Sequence, residues 1–364
     1  MTPVSPTPLT RPSNTPIPSV LPSDAPPRGT LVFGSASQFR FDGDAQSDLY
    51  LFPDTVVWSS APWRSTQPPL RPGAGRIQEL VIATGQVRTL YEAPSENSFV
   101  TVKASADWLT WLETTDPFGL RDARLLAMPR RGGVPIVIDE LKGYATASFP
   151  MWCIDGADVY WTIPETRTGQ TVGPLRHKHL ADGASEIVVP AQPGQTIALP
   201  SAYRGVLAYE VRGGPEAHVN IRLPDGTTRD VGVSPASEPT AGDGFVAFKR
   251  ANVATAGQLA AVLLASGTIV SLGIGEQPRA GESWLAWGSW SPDPLDPASA
   301  SPVFISNSTL ACIARFKRPL PNANSTVSIP SVAGGRVAWL LSDNDKPQLD
   351  RLMLVVEDLR ELRC

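Results

Sequence analysis

The residues that chemistry would recruit first in this chain are three histidines and a scatter of carboxylates. His177 and His179 flank Lys178 in the run Leu175-Arg176-His177-Lys178-His179. Residues two apart on a strand face the same side, so both imidazoles would share one face, a spacing that can support a metal. Arg176 and Lys178 make the run basic, which reads more simply as a solvated edge, and no metal site is assigned. The loop Asp42-Gly43-Asp44-Ala45-Gln46-Ser47-Asp48 alternates oxygen ligands as a calcium loop does. It lacks the glycine at the sharp turn and the closing bidentate glutamate, and Asp343-Asn344-Asp345 near Asp350 is incomplete in the same way. Both read as solvated turns, and no cofactor is expected.

Nucleophilic chemistry has equally little to work with. There is no Gly-x-Ser-x-Gly elbow and no Gly-rich phosphate loop. Asp107, Asp155, Asp158, Asp243 and Glu282 recur at the turn before an apolar run. A catalytic acid/base pair is needed once, so this regularity argues for turn formation. Cys153, Cys312 and Cys364 are too widely spaced for a zinc site or a disulfide framework. Cys153 follows Met151-Trp152 and reads as a small buried hydrophobe. Cys312 and Cys364 would pair only if the last segments of the fold met. The sequons at Asn307 and Asn324 would matter only in a glycosylating secretory route.

What must position these residues is a repeat. Asp107-Trp108-Leu109-Thr110-Trp111-Leu112-Glu113 is a turn residue followed by alternating apolar and polar side chains, and the pattern occurs seven times. Its aromatic anchors are Trp58, Trp111, Trp161, Tyr209, Phe248, Trp287 and Trp339, which lie 39 to 53 residues apart. Hairpin-turn signals follow the anchors at Ala83-Thr84-Gly85, Arg131-Gly132-Gly133, Ala181-Asp182-Gly183, Pro224-Asp225-Gly226 and Ala265-Ser266-Gly267, with Asn307 and Asp358 in the equivalent slots. A four-stranded unit has two apolar faces that only neighbouring units can cover, so large rings would fill the wedges between units. Trp111, Trp161, Trp287 and Trp339 are therefore expected to pack rather than to bind. A two-sheet sandwich would not predict seven equivalent anchors.

In the order strand, turn, strand, polar loop, then Asp or Gly before a run ending in Trp, the chain resembles TolB-type and WD-repeat-like β-propellers. The resemblance covers about residues 29–364, without the Gly-His and Trp-Asp dipeptides of true WD repeats. It implies an all-β, seven-bladed β-propeller of four-stranded antiparallel blades. The strand-like Thr30-Leu31-Val32-Phe33 is expected to close the ring.

Composition narrows the partners. Acidic residues number 35 against 31 basic, a formal net charge of -4, which leaves no electrostatic footprint for nucleic acid. Apolar runs such as Leu259 to Ala265 are strand-sized and far short of a bilayer span. Residues 1–28 are so rich in proline, threonine and serine that a disordered linker is expected, with residues 29–364 as the propeller domain. That segment resembles the spacer that follows a lipid anchor in bacterial envelope proteins, though no anchor precedes it, and an extracytoplasmic protein tethered through a missing anchor is expected.

Long, proline-rich connections at Ala61 to Gly75, Asp116 to Asp122, Thr166 to Pro174 and Ser289 to Pro302 would open on one side of the ring. They carry Trp63, Phe118 and Trp290, the ligand-binding residues expected here, because aromatics on a rigid scaffold make recognition surfaces. The functional expectation is a non-catalytic binding or scaffolding propeller of the cell envelope that recognises a protein or glycan. A propeller enzyme, a polysaccharide lyase or hydrolase with its site in the central funnel, is the alternative, and a self-assembling surface protein is the third reading.

Overall fold

The computed structural model describes residues 28–363 except 42, 63–72, 97, 117–121, 141–150, 164, 168–169, 251–256, 282, 290–301, 317–324 and 348–349. No α-helix occurs among the described residues, and none of their segments is a helix long and apolar enough to cross a membrane.

Strand β1 (Arg28–Arg40) opens the described chain and joins the sheet that is built last. The first sheet follows, with β2 (Asp44–Ala45) and β3 (Tyr50–Leu51) both on β4 (Thr55–Ala61), then β5 (Arg76–Val81) and β6 (Gln86–Glu92). The second is β7 (Phe99–Ala104), β8 (Trp108–Thr114), β9 (Arg124–Pro129) and β10 (Ile136–Glu140). In the third, β11 (Met151–Asp155) and β12 (Asp158–Thr162) pair in order with β15 (Leu175–His179) and β16 (Glu186–Val189), while β13 (Glu165–Arg167) and β14 (Gln170–Val172) form a separate hairpin between them. The fourth contains β17 (Thr196–Tyr203), β18 (Val206–Arg212), β19 (His218–Arg222) and β20 (Thr228–Asp230). The fifth contains β21 (Ala236–Gly242), β22 (Phe245–Arg250), β23 (Gln258–Leu263) and β24 (Ile269–Ile274).

The remaining strands form one nine-stranded sheet. It runs β25 (Glu276–Ala280), β26 (Trp284–Gly288), β27 (Val303–Asn307), β28 (Ile313–Arg315), then β1, β32 (Leu352–Arg363), β31 (Arg336–Asp343) and β29 (Ser325–Val327), with β30 (Ser331–Ala333) also on β31. β1 lies antiparallel to β32 from Thr30↔Arg363 to Arg40↔Met353. It touches β28 in parallel only at Arg28↔Ile313 and Gly29↔Ala314.

The second strands carry the anchor rings, and these are buried. Trp111, Trp161 and Trp287 are at most 1% exposed. Each of the seven anchors sits in its own hydrophobic cluster; six clusters draw on two sheets, and the one around Trp339 joins the two halves of the nine-stranded sheet. Trp58 packs with Ala338, Leu354 and Val356, so the first sheet lies against the last strands of the chain. The indole N–H groups of Trp58 and Trp287 are buried with no hydrogen-bond partner among the described residues. These rings are thus held by packing, as the repeat predicted, and each buries on the order of 150–250 Å².

The turns after the third strands differ in detail from the expectation. Gly85 (φ +70°) and Gly267 (φ +71°) each donate to the carbonyl four residues back, Val81 at 2.9 Å and Leu263 at 2.8 Å. These are loops of four and five residues, 82–85 and 264–268, longer than two-residue turns. Left-handed φ is what selects glycine there. Asp358 is not a turn residue at all: it lies inside β32 and pairs with Arg336, because the strand next to β32 is the distant β1 and no hairpin is needed.

Candidate functional site

The two ends of the sheets are unequal. First and second strands are joined by two or three residues, at 52–54, 105–107, 156–157, 204–205, 243–244, 281–283 and 334–335. At the opposite end, second strands run to third strands through 62–75, 115–123, 163–174, 213–217, 251–257, 289–302 and 344–351. The longer connections therefore open on one side. Trp63, Phe118 and Trp290 belong to three of them and lie outside the described residues.

Described residues at the bases of these connections are rigidly held. Glu113, 4% exposed, accepts from the Tyr91 hydroxyl and from Arg124. Burial, reinforced by that bond to Glu113, pushes the Tyr91 phenol well up. Asp122 accepts from Thr114 Oγ1 at 2.6 Å, from the Thr115 amide and from the Thr115 hydroxyl. Burial alone would raise its carboxyl, but these hydrogen bonds outweigh it and the net shift is downward. Asp122 is thereby kept ionised as a clamp on the loop base.

The first strands form a second region. β7 touches β11, β11 touches β17, β17 touches β21 and β21 touches β25, while β30 touches β3. Three of these strands share a local device. Leu199, Glu238 and Gln277, 39 residues apart, all have positive φ and all precede a proline, and the register shifts there. A proline cannot donate to the ladder, so the strand bulges. The following side chain then faces the next sheet: Ser201 Oγ accepts from the Ala241 amide at 3.0 Å, and Thr240 Oγ1 from the Ala280 amide at 3.3 Å. Ser331 Oγ, which also follows a proline, accepts from the Leu51 amide at 3.1 Å.

Several polar groups lie on or beside these first strands. Arg279 of β25 reaches past the Ile329 carbonyl (3.2 Å) to Asp48 Oδ1 at 2.7 Å, linking sheets far apart in the chain. Lys103 of β7 donates from Nζ to the Trp152 carbonyl at 2.5 Å and sits 5.1 Å from the centre of the Trp152 ring. It pairs with no carboxylate among the described residues. Enclosure drives its pKa down, with Arg279 adding to that and Asp48 and Cys153 opposing it. Tyr50 feels the same Asp48, Arg279 and Cys153, and burial pushes its phenol far up. Burial likewise raises the free Cys153 thiol to about 12, so it is inert at neutral pH, as expected of a buried hydrophobe. Both Lys103 and Tyr50 remain partly exposed.

The histidine pair forms a third cluster on the side of the short turns. His177 and His179 do share a face. His177 Nε2 and His179 Nδ1 meet one oxygen of Asp158, at 2.8 and 2.9 Å, and His177 Nδ1 faces Glu186 Oε1 at 3.1 Å. The ring of Tyr160 stacks on His177 at 4.8 Å. The bond to Asp158 raises the His179 pKa. Burial would lift Asp158, but the two imidazoles pull it down overall. The strand is not a solvated edge as its basic composition implied: β15 is the third strand and β16 covers it. Among the described residues no group of three or more His, Cys, Asp or Glu side chains is arranged to hold a metal ion. Asp48 of the acidic loop is engaged by Arg279, and Asp42 lies outside the described residues.

Two of the recurrent acids before the second strands act between sheets. Asp155 Oδ2 accepts from the Gly205 amide at 2.7 Å, and Asp243 pairs with Arg204 at 3.3 Å. Glu282 lies outside the described residues. Cys312 is disulfide-bonded and buried, beside the parallel contact of β1 with β28. Sequence reasoning overlooked Lys103, Tyr50 and Arg279. The x-Pro repeat that marks the first strands was the available signal, since Arg279 follows Gln277-Pro278 directly.

No known protein family matches the sequence, and no curated protein is similar to it. Solved structures do match. One, from a study of two prolyl endopeptidases, is 13% identical with a TM-score of 0.59, over 88% of this chain and 51% of that one, so the chain spans about half its length. An oligogalacturonate lyase from Vibrio parahaemolyticus is 9% identical with a TM-score of 0.52, over 92% of this chain and 99% of that one. TolB from Acinetobacter baumannii is 10% identical with a TM-score of 0.43, over 84% of this chain and 81% of that one. Identities this low speak to fold and not to activity. The chain shares the β-propeller fold of the lyase structures it matches, as its repeats led one to expect.

Proposed function

We propose that this protein is a seven-bladed binding or scaffolding propeller that recognises a protein or glycan of the cell envelope through the face carrying its long connections. The observation that carries this reading is the inequality of the two ends, two or three residues on one against as many as fourteen on the other, at 62–75 and 289–302. Long loops on a rigid frame are where recognition residues concentrate. In this reading the nine-stranded sheet is two blades, and β1 closes the ring as the outermost strand of the last. The seven anchor clusters support that count. Residues 1–28 serve as the linker to a membrane anchor, residues 29–364 being the propeller. A disulfide at Cys312 supports an oxidising, extracytoplasmic setting.

Trp63, Phe118 and Trp290 are the contact residues in this reading. The test is a pull-down from envelope extract and a glycan array with the full chain and its Trp63→Ala/Phe118→Ala/Trp290→Ala variant. Loss of the captured partner with an unchanged melting temperature supports the reading; equal capture by the triple variant removes it.

A lyase acting on an acidic polysaccharide is the second reading, favoured by the enclosed cations of the first strands and by the end-to-end match to the oligogalacturonate lyase chain. Incubation with polygalacturonate decides it. New ultraviolet absorbance from an unsaturated product, abolished in Lys103→Met, would establish lyase activity, and its absence would leave the binding reading.

A further inference from the structure

Among the described residues five large apolar side chains are exposed, and all lie at the outermost strands of the first three sheets. They are Val87 on β6, Ile187 on β16, and Val134, Ile136 and Val137 within four positions on or just before β10. β10 ends the second sheet and pairs only with β9, so one side of its backbone has no strand beside it among the described residues. Natural sheets protect such an edge with charge. The outer strands β6, with Arg88 and Glu92, and β20, with Arg229 and Asp230, follow that rule. β10 does not: Val134-Pro135-Ile136-Val137-Ile138 carries no charge before Asp139. Successive strand residues face opposite sides, so Ile136 (36% exposed) and Val137 (46%) leave apolar surface on both faces of one edge. A partner resting on one face would cover one of them; a strand laid alongside covers both.

We propose that β10 is a homodimer contact, at which the same strand of a second copy pairs antiparallel across a two-fold axis. Charge selects a second copy as the occupant. The stretch begins basic, at Arg131, and ends acidic, at Asp139-Glu140, and Arg131 and Glu140 are both exposed. Arg130, by contrast, is committed to Glu79. Antiparallel pairing brings Arg131 of each copy to the acidic end of the other, twice over, whereas parallel pairing would set like beside like. Such a contact is isologous, so it closes as a dimer and does not propagate. Residues 1–27 are a poor occupant of the edge, because proline, at about every third position there, has no amide to donate. The surface lies outside the long connections, so its test is separate from that of the binding reading.

The test is sedimentation equilibrium of the full chain across a micromolar concentration series, with thermal melts to show that each variant is folded. The wild type is expected at twice the chain mass. Val137→Lys, and Val134→Lys at a side chain 83% exposed, should each give a monomer, since a lysine on the edge opposes strand pairing. Arg131→Glu should weaken the dimer about tenfold, because the axis counts each substitution twice, and Arg131→Glu/Glu140→Arg should restore it. A wild type that stays monomeric throughout the series overturns the proposal. So does a dimer that persists in a folded Val134→Lys, or a double variant no tighter than Arg131→Glu. If hydrogen exchange at β10 quickens on removal of residues 1–27 from a monomer, that segment and not a second copy covers the edge, and the proposal fails. Should Val137→Lys not fold, Val134→Lys and the charge exchange decide alone.

Discussion

The second strands and the first strands of these sheets run side by side, one ladder apart, and carry opposite chemistry. Second strands hold indoles and phenyl rings packed between neighbouring strands, Trp111, Trp161 and Trp287 being at most 1% exposed. First strands hold Tyr50, Lys103 and Arg279, which are enclosed yet reached by water. Each sheet thus has a dry strand that is squeezed between neighbours and a wet strand that faces the middle. The lesson is that burial has two meanings here. Trp111 is wholly buried, whereas Lys103 remains partly exposed.

That contrast can be broken by mutation. Trp111→Ala should cost about 3–5 kcal/mol, because the ring lies in a wedge whose walls are two sheets that cannot both collapse. A midpoint in urea that barely moves would mean the wedges are not what holds the sheets together. Cys312→Ser should cost about 2–4 kcal/mol through loss of the disulfide beside β1. Comparing thermal melts with and without reductant checks it, and a wild-type melt insensitive to reductant would contradict it.

Glu79, one of several buried acids paired with arginine, sharpens the rule from the third strand of the first sheet. It is 2% exposed and joins Arg88 at 2.6 Å and Arg130 at 2.8 Å. Glu79→Gln should cost about 1–3 kcal/mol, since Arg130 loses its countercharge while itself largely buried. Chemical denaturation in which Glu79→Gln matches wild type would show the pair to be energetically idle.

The histidine cluster gives a smaller, pH-dependent effect. His179 has a raised pKa, so its contribution is full below about 6.5 and is lost as pH rises through the folded value. Asp158 has a lowered pKa, so its contribution is present above about 3.9 and is lost as pH falls through the folded value. The pair therefore helps most between those limits. Replacing His179 by Asn should flatten the melting temperature against pH above neutrality, and an unchanged profile would refute the linkage.

Lys103→Met should have the smallest effect and the opposite sign, leaving stability equal or slightly higher without ligand. A loss as large as that of Trp111→Ala would place Lys103 among the packing residues and erase the distinction drawn above.

Much of the fold was legible because a repeat magnifies a weak signal. A lone Trp after alternating residues says little, but seven at similar spacing imply seven equivalent wedges, and all seven anchors lie in such clusters. The fate of Asp358 was not legible, since a third strand that ends the chain looks like any other third strand until its neighbour is known. Nor did the basic composition of β15 reveal that β16 covers it.

The alternation of residue types, dictated locally by the two-residue period of a strand, determined by itself that the chain is all-β and where its packing rings fall. Which charged groups meet was decided only in three dimensions. Asp48 and Arg279 are 231 positions apart, and no local pattern relates them. Their meeting depends on how the sheets are arranged in space.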